Sequence, residues 1–390
     1  MIENSPQVKL IIAIPTFNRL EKLKVLLNSI SAQVPDATYT CSLAIANSYS
    51  TDGTYEYLES LHKVGCITDI LKFNKRADEK SSYPILLNGL PENWNNLAYL
   101  IPDGDHWVWL MGDDDYLVSP NCLGRLASLV ANSTGKDVDL IHLTQARRST
   151  GSKKIIKEAA INAANTLGFL ELLGWMSSLV VRGDVLKQAF LCLFYEERDD
   201  PALTAPSSLP QILRDKVSAF RQSSLILRRI VGSNVLIVDD YFAEPQDESQ
   251  TAESIKRWQA ERVSLRYMFV VDDIEYLRRT GVLNADVSAV FFRYHAQFIW
   301  DRFTQYVVTH LSYSGELDDY CLAFMERIAR IEQLLSSPSE IHLYRLWRFC
   351  FFTAVEDAIK TRKRYLESCG KLEEMVHLGF RGVFKFDTLQ

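Results

Sequence analysis

Three adjacent carboxylates, Asp113-Asp114-Asp115, end the apolar, aromatic run Trp107-Val108-Trp109-Leu110-Met111-Gly112. Side by side they repel one another. A divalent cation relieves that repulsion, and hard cations such as Mg²⁺ or Mn²⁺ take oxygen ligands. A cation held there would bridge to a diphosphate. The triplet Asp113-Asp114-Asp115 is therefore an expected metal site. An acidic turn after a strand is the alternative for these residues taken alone. The run before them has the length and composition of a buried strand. That places the aspartates at a strand's C-terminal end, where open α/β sheets bind ligands.

Two further polar stretches follow predicted strands. Val8 to Ile14 reads as a strand, stopped by Pro15 and followed by the turn Thr16-Phe17-Asn18-Arg19. Leu20, Leu23, Leu26, Leu27 and Ile30 then recur at helical spacing. Asn18 is the expected N-cap, with Glu21 as capping-box partner. Backbone N–H groups at such a helix start suit a nucleotide or phosphate. Cys41 to Ala46 reads as a second strand and runs into the small, polar loop Asn47 to Thr54, where Asp52 or Thr54 would cap a second helix.

Ile67 to Phe73 predicts a third strand, residues 74–96 an irregular excursion, and Asn95 to Leu100 a short helix. Later strands are expected at Val138 to Thr144, Trp175 to Arg182 and Asn234 to Val238, with a loop over residues 147–160. Strands alternating with helices imply an α/β fold: a Rossmann-like, mostly parallel sheet with helices on both faces. Trp175 is placed either in the core or with its ring face against a ligand.

The 390 residues suffice for two domains. The expected division is residues 1–245 for the α/β unit and 255–390 for a helical one, joined by the acidic stretch Glu244 to Glu253. A net charge of −6 argues against nucleic acid as a partner. Seven cysteines, an odd number with no Cys-x-x-Cys, favour a reducing compartment. With no signal-peptide pattern and no run long enough to span a bilayer, the expected location is cytoplasmic. Leu343 to Leu366 is aromatic and basic. It reads either as a peripheral contact with the inner face of the cell membrane or as a core helix with a solvated basic end. Glycine-rich phosphate loops are absent, and the histidines make no metal-ligand spacing.

Three motifs in this order resemble the family 2 glycosyltransferases of GT-A fold: Ile14-Pro15-Thr16-Phe17-Asn18-Arg19, Ser50-Thr51-Asp52-Gly53-Thr54 and Gly112-Asp113-Asp114-Asp115. The wording of the third is nearest to members that build bacterial surface polysaccharides such as O-antigen. The resemblance runs from residue 8 to about 120 and weakens from there to about 245.

The resemblance implies a nucleotide-diphosphate sugar as donor, a UDP-sugar first, and a divalent cation at Asp113 and Asp115. Pro15, Thr16, Phe17, Asn18, Arg19, Asn47, Ser50, Asp52, Asp113 and Asp114 would bind the donor. Transfer would invert the anomeric carbon and go to a glycan or lipid-linked glycan acceptor. The helical C-terminal region would serve acceptor, membrane surface or an oligomer contact.

Two departures stand out. The family usually has Asp at Asn47, whose amide oxygen can still accept a hydrogen bond. Ser207 and Ser208 occupy what resembles the place of a Glu-Asp pair that supplies the general base. The base would then move upstream to Asp200, with Asp199 second and Glu197 third. The alternative is a degenerate domain that binds a sugar nucleotide or glycan without chemistry.

Overall fold

The computed structural model describes residues 7–76, 90–133, 137–145, 148–191, 221–246 and 338–370. Val8–Thr16 forms strand β1, whose side chains from Leu10 to Ile14 are all buried. Burial on both faces is what a central parallel strand requires. Its neighbours β2 (Tyr39–Ser50) and β4 (Trp107–Leu110) both run parallel to it, and β3 (Asp69–Arg76) runs parallel to β2.

The connecting helices are α1 (Leu20–Ser31), α2 (Thr54–Ser60) and α3 (Leu90–Leu100). Beyond β4 come β5 (Asp115–Leu117), α4 (Cys122–Ser133), β6 (Val138–Leu143) and β7 (Ile155–Ala159). Helices α5 (Ala160–Leu167) and α6 (Phe169–Leu173) lead to a single 3-10 turn, Met176–Ser178. Strand β8 (Leu179–Arg182), α7 (Gly183–Leu191), the helix Arg221–Ile230, β9 (Asn234–Val238) and β10 (Ala243–Pro245) follow.

Among the described residues one eight-stranded sheet has the order β3-β2-β1-β4-β8-β6-β9-β7, and β10 pairs with β5. β8 is antiparallel to β4 and β6, and β7 to β9; the other pairs of the large sheet are parallel. The expected mostly parallel, Rossmann-like sheet is what the chain forms.

Alternation along β1 separates two cores. Leu10, Ile12 and Ile14 pack with Leu23, Leu26, Leu27 and Ile30 of α1 and with Leu123, Leu126 and Val130 of α4. Each such aliphatic side chain contributes roughly 1.5–3 kcal/mol by leaving water. α3 lies on β1 and β2 and packs against α7, with Trp94 and Phe190 edge to face at 5.1 Å between ring centroids.

Several local expectations need correction. β2 runs on to Ser50, through the stretch expected as loop, because Asn47 and Ser48 still pair with β3. β7 forms within the expected loop 147–160, where Ile155 to Ala159 pair with β9 along the sheet edge. The expected strand Trp175 to Arg182 begins instead as the 3-10 turn. α3 starts at Leu90, five residues before the expected Asn95.

The chain divides into two compact units. The first holds the elements from β1 to β10; the second contains the helix Pro338–Ser368. On that helix Leu346, Phe349 and Tyr365 are exposed, while Ala358 and Leu366 are buried. No helix among the described residues is long and apolar enough to cross a membrane.

Candidate active site

Polar residues replace apolar ones at one level across four strand ends. Thr16 of β1 is in register with Asn47 of β2, and Asn47 with Asn74 of β3. Ala13 is paired with Leu110 of β4, which carries Thr16 to the level of Asp113. The four are bonded in two pairs. Asn47 Nδ2 donates to Asn74 Oδ1 at 2.6 Å, and Thr16 Oγ1 donates to Asp113 Oδ2 at 2.8 Å. Asn93 of α3 closes the middle: it accepts from the Ser48 hydroxyl and donates to the Thr16 carbonyl at 2.9 Å. Thr16, Asn47, Ser48, Asn93 and Asp113 are all buried, and each has its partner, as buried polar groups require.

Two loops are laced together above this row. The Asn18 N–H donates to Ser50 Oγ at 2.9 Å, and the Thr51 N–H donates to Asn18 Oδ1 at 2.6 Å. The Ser50 hydroxyl in turn donates to Asn47 Oδ1. Asn18 is left-handed, with φ 51°, a conformation that asparagine tolerates better than most residues. It therefore does not cap α1. Asp52 does so from the other loop, accepting from the Leu20 N–H at 2.8 Å. Its second oxygen accepts from the Thr54 N–H and hydroxyl at the start of α2. These bonds hold the Asp52 carboxyl below its usual range despite partial burial.

The aspartate turn is held from three directions. Arg19 Nη1 lies 2.9 Å from Asp113 Oδ1 and 2.7 Å from Asp114 Oδ2. Ser177, in the 3-10 turn, donates through its hydroxyl to Asp115 Oδ2 and accepts from the Gly112 N–H at 2.9 Å. The Trp109 indole N–H fixes the Ser177 carbonyl at 2.9 Å. Gln246, just past β10, donates from Nε2 to the carbonyls of Lys22, Asp113 and Asp115, and its N–H donates to the Asp114 carbonyl at 2.8 Å. Gly112 is needed for this packing. A Cβ there would meet Asp115 Oδ2 at 2.8 Å and Asp114 Oδ1 at 2.9 Å.

The electrostatics follow from that burial. Desolvation pushes the Asp113 carboxyl up to about 6; Arg19 opposes the rise and Asp114 adds to it. Desolvation also pushes Asp115 up to about 7, with Asp114 adding and the Ser177 bond opposing. Burial alone would lower the Arg19 guanidinium, but Asp113 and Asp114 more than reverse this and hold it above its ordinary value. When all three aspartates are ionised, Arg19 offsets one charge of three.

That donor set fits a hard divalent cation by charge and by chemistry. It is not a closed cage. Among the described residues no three His, Cys, Asp or Glu side chains converge on one point. Asp113 is turned toward Thr16 and Arg19, and Asp115 toward Ser177.

The sheet thus gathers the expected Thr16, Asn18, Arg19, Asn47, Ser50, Asp52, Asp113, Asp114 and Asp115 at one edge. Pro15 and Phe17 belong to the same β1–α1 segment. Asn47 and Asp52 are engaged by protein groups through their side-chain oxygens. Trp175 is half-buried against the core, and its side chain hydrogen-bonds to Asp115. Asp199, Asp200, Glu197, Ser207 and Ser208 lie outside the described residues. Ser177, Asn93, Asn74 and Gln246 carry no local motif and emerge from the tertiary structure alone.

No protein-family model and no curated protein sequence matches the chain. Solved structures are similar to it at low identity. The S. aureus TarS fragment 1–349 in complex with UDP-GlcNAc is 12% identical, over 92% of this chain and 92% of that chain, with a TM-score of 0.47. A mannosyltransferase from Pyrobaculum calidifontis in complex with GDP-Man and Mn²⁺ is 12% identical, over 95% and 88%, with a TM-score of 0.42. Glucosyl-3-phosphoglycerate synthase from Mycobacterium tuberculosis, with Mn²⁺, UDP-glucose and phosphoglyceric acid, is 14% identical, over 69% and 81%, with a TM-score of 0.39.

Proposed function

We propose that this chain is an inverting glycosyltransferase of the GT-A, family 2 kind. It takes a sugar from a nucleotide-diphosphate sugar, a UDP-sugar first, to a glycan or lipid-linked glycan acceptor in bacterial surface polysaccharide synthesis. The observation that carries the reading is the in-register polar row Asn74-Asn47-Thr16-Asp113 at the C-terminal strand ends, bonded in the pairs Asn47–Asn74 and Thr16–Asp113, with Arg19 set against Asp113 and Asp114. This is the edge of an open α/β sheet where ligands bind.

The chemistry assigned to the residues is as follows. The laced loops at Asn18 and Ser50 orient the nucleoside end of the donor. Arg19 binds the diphosphate, for which a guanidinium offers a bidentate match. A divalent cation at Asp113 and Asp115 would stabilise negative charge on the leaving diphosphate as a Lewis acid. A carboxylate, Asp200 first and Asp199 second, accepts the acceptor hydroxyl proton. The freed oxygen attacks the anomeric carbon in line as the bond to the diphosphate breaks, so the configuration inverts.

The unit from about residue 255 to 390 is assigned to acceptor, membrane-surface or oligomer contacts. The enzyme is assigned to the cytoplasm, with a peripheral position at the inner face of the cell membrane as the alternative. The direct test is a thermal-shift panel of UDP-, GDP-, CDP- and dTDP-sugars with Mn²⁺, because a specific ligand raises apparent stability by mass action. One nucleotide raising the melting temperature in a Mn²⁺-dependent way, followed by its consumption in the presence of acceptor, supports the proposal. Binding with no turnover on any glycan acceptor would favour the degenerate binding domain. No response to any nucleotide would overturn both.

A further inference from the structure

One guanidinium nitrogen of Arg19 touches carboxylates of Asp113 and Asp114 together, at 2.9 and 2.7 Å. The Arg19 backbone is set by its neighbours: Asn18 is left-handed and tied to Ser50 and Thr51, and Leu20 is tied to Asp52. The side chain is thereby aimed at the aspartate turn. It is also 32% exposed, so it can leave the carboxylates by rotating its own bonds, with the loop in place. A guanidinium stays charged throughout the pH range of a folded protein. It therefore lies where a second cation approaching Asp113 would be repelled, and such repulsion is substantial at a few ångströms in a partly buried site.

We infer that Arg19 is an internal counter-cation that keeps the affinity of Asp113 and Asp115 for a free divalent ion low, and that releases Asp113 and Asp114 when a nucleoside diphosphate offers it a better anion. Arg19 thereby couples the two binding events: diphosphate draws the guanidinium away, and Asp113 becomes available to the cation beside Asp115. This role rests on the glycosyltransferase reading above. It makes Arg19 a positioning residue for cation binding as well as a donor contact.

The test is a Mn²⁺ titration followed by the electron paramagnetic resonance of the free ion, on the full chain with and without UDP. Wild type should bind Mn²⁺ weakly alone and at least about tenfold more tightly with UDP. Arg19→Gln and Arg19→Met remove the charge; the second keeps more of the apolar stem. Each should bind Mn²⁺ without UDP about tenfold or more tightly than wild type, and gain much less from UDP. Arg19→Lys keeps the charge and should stay near wild type. Thermal melts identify which neutral variant is folded, and either one decides. Equal or weaker Mn²⁺ binding by a folded neutral variant overturns the inference, and leaves the glycosyltransferase reading standing if wild type binds Mn²⁺ with UDP. Failure of wild type to bind Mn²⁺ with UDP overturns the metal reading and the inference together.

Discussion

Asp52 caps a helix that belongs to another loop: its Oδ2 accepts the Leu20 N–H at 2.8 Å, 32 positions away in the chain. The same carboxylate serves Thr54 at the head of α2 through Oδ1. Capping bonds of this kind are worth about 0.5–2 kcal/mol each. Asp52→Ala should lose both and lower the urea midpoint by an amount equivalent to about 1–3 kcal/mol. Asp52→Asn, which keeps one acceptor oxygen, should lose roughly half of that. Because the loops carrying Asn18 and Ser50 are laced through this bond, Asp52→Ala should also weaken nucleotide binding. Denaturant titration with nucleotide binding on the same samples checks both. An unchanged urea midpoint would remove Asp52 from the scaffold.

What the sequence discloses is local. β1 and β4 are apolar runs, Pro15 and the aspartates punctuate them, and Gly53 follows β2, so the strand–loop–helix order and the position of the acidic turn can be read directly. The identity of the α1 cap cannot be read that way. Asn18 has the right residue type and place, but its left-handed backbone turns it toward the second loop, and the cap arrives from Asp52. The residues that hold the aspartate turn are further away still. Ser177 meets Asp115 across 62 positions, and Gln246 meets the same residue's carbonyl across 131. A serine in an apolar run and a glutamine in an acidic stretch carry no periodic signal; only sheet register and β5–β10 pairing bring them in. The site's carboxylates were thus legible, as were Thr16 and Arg19 beside them; Ser177 and Gln246, which hold the turn from distant segments, were not.

Asp115 should show a conflict between stability and function. Its folded-state value of about 7 lies above the unfolded carboxylate value of 3.8. Between those limits the native state binds more protons than the unfolded one, so this group's contribution to stability falls as pH rises from about 4 to 7. Asp115→Asn removes the buried charge. In excess chelator it should therefore melt higher than wild type at pH 8, with the difference shrinking toward pH 4. The same variant should lose transfer and lose the enhancement of nucleotide binding by Mn²⁺. Melting curves across pH, paired with nucleotide titrations, check it. Full turnover by Asp115→Asn would remove its metal role.

His142 carries the opposite sign. It is buried in β6, its Nδ1 is 2.9 Å from the Leu172 carbonyl, and burial lowers its value to about 4. The unfolded state, near 6.5, therefore takes a proton that the native state refuses as pH falls from about 6.5 to 4, and stability is lost over that window. One proton of difference corresponds to a slope of about 1.4 kcal/mol per pH unit. His142→Gln should flatten the acid limb of the stability profile relative to wild type, while costing stability at pH 8 through the altered packing. Urea midpoints at several pH values between 4 and 8 measure this. A variant whose acid limb parallels that of wild type would place the acid sensitivity elsewhere.

The catalytic base is the remaining assignment. An inverting transfer needs a group within hydrogen-bond reach of the acceptor hydroxyl that can accept its proton. Asp113, Asp114 and Asp115 are unsuited: they face Arg19 and Ser177 and would serve the leaving group at the opposite side of the reacting carbon. Ser207 and Ser208 cannot act as bases at neutral pH without a partner. Asp200 is the base that the proposal assigns, with Asp199 second and Glu197 third, in the sequence just before Pro201. Asp200→Asn should lower turnover at saturating donor by about 10²–10⁴-fold while nucleotide and Mn²⁺ affinities stay unchanged, since the base acts on the acceptor alone. Asp199→Asn should have a smaller effect. The split between lost turnover and retained donor binding separates a base from a donor ligand. Near-wild-type rates in both variants would move the base away from this pair. If no acceptor is glycosylated even by wild type, the site binds a sugar nucleotide and does not transfer it.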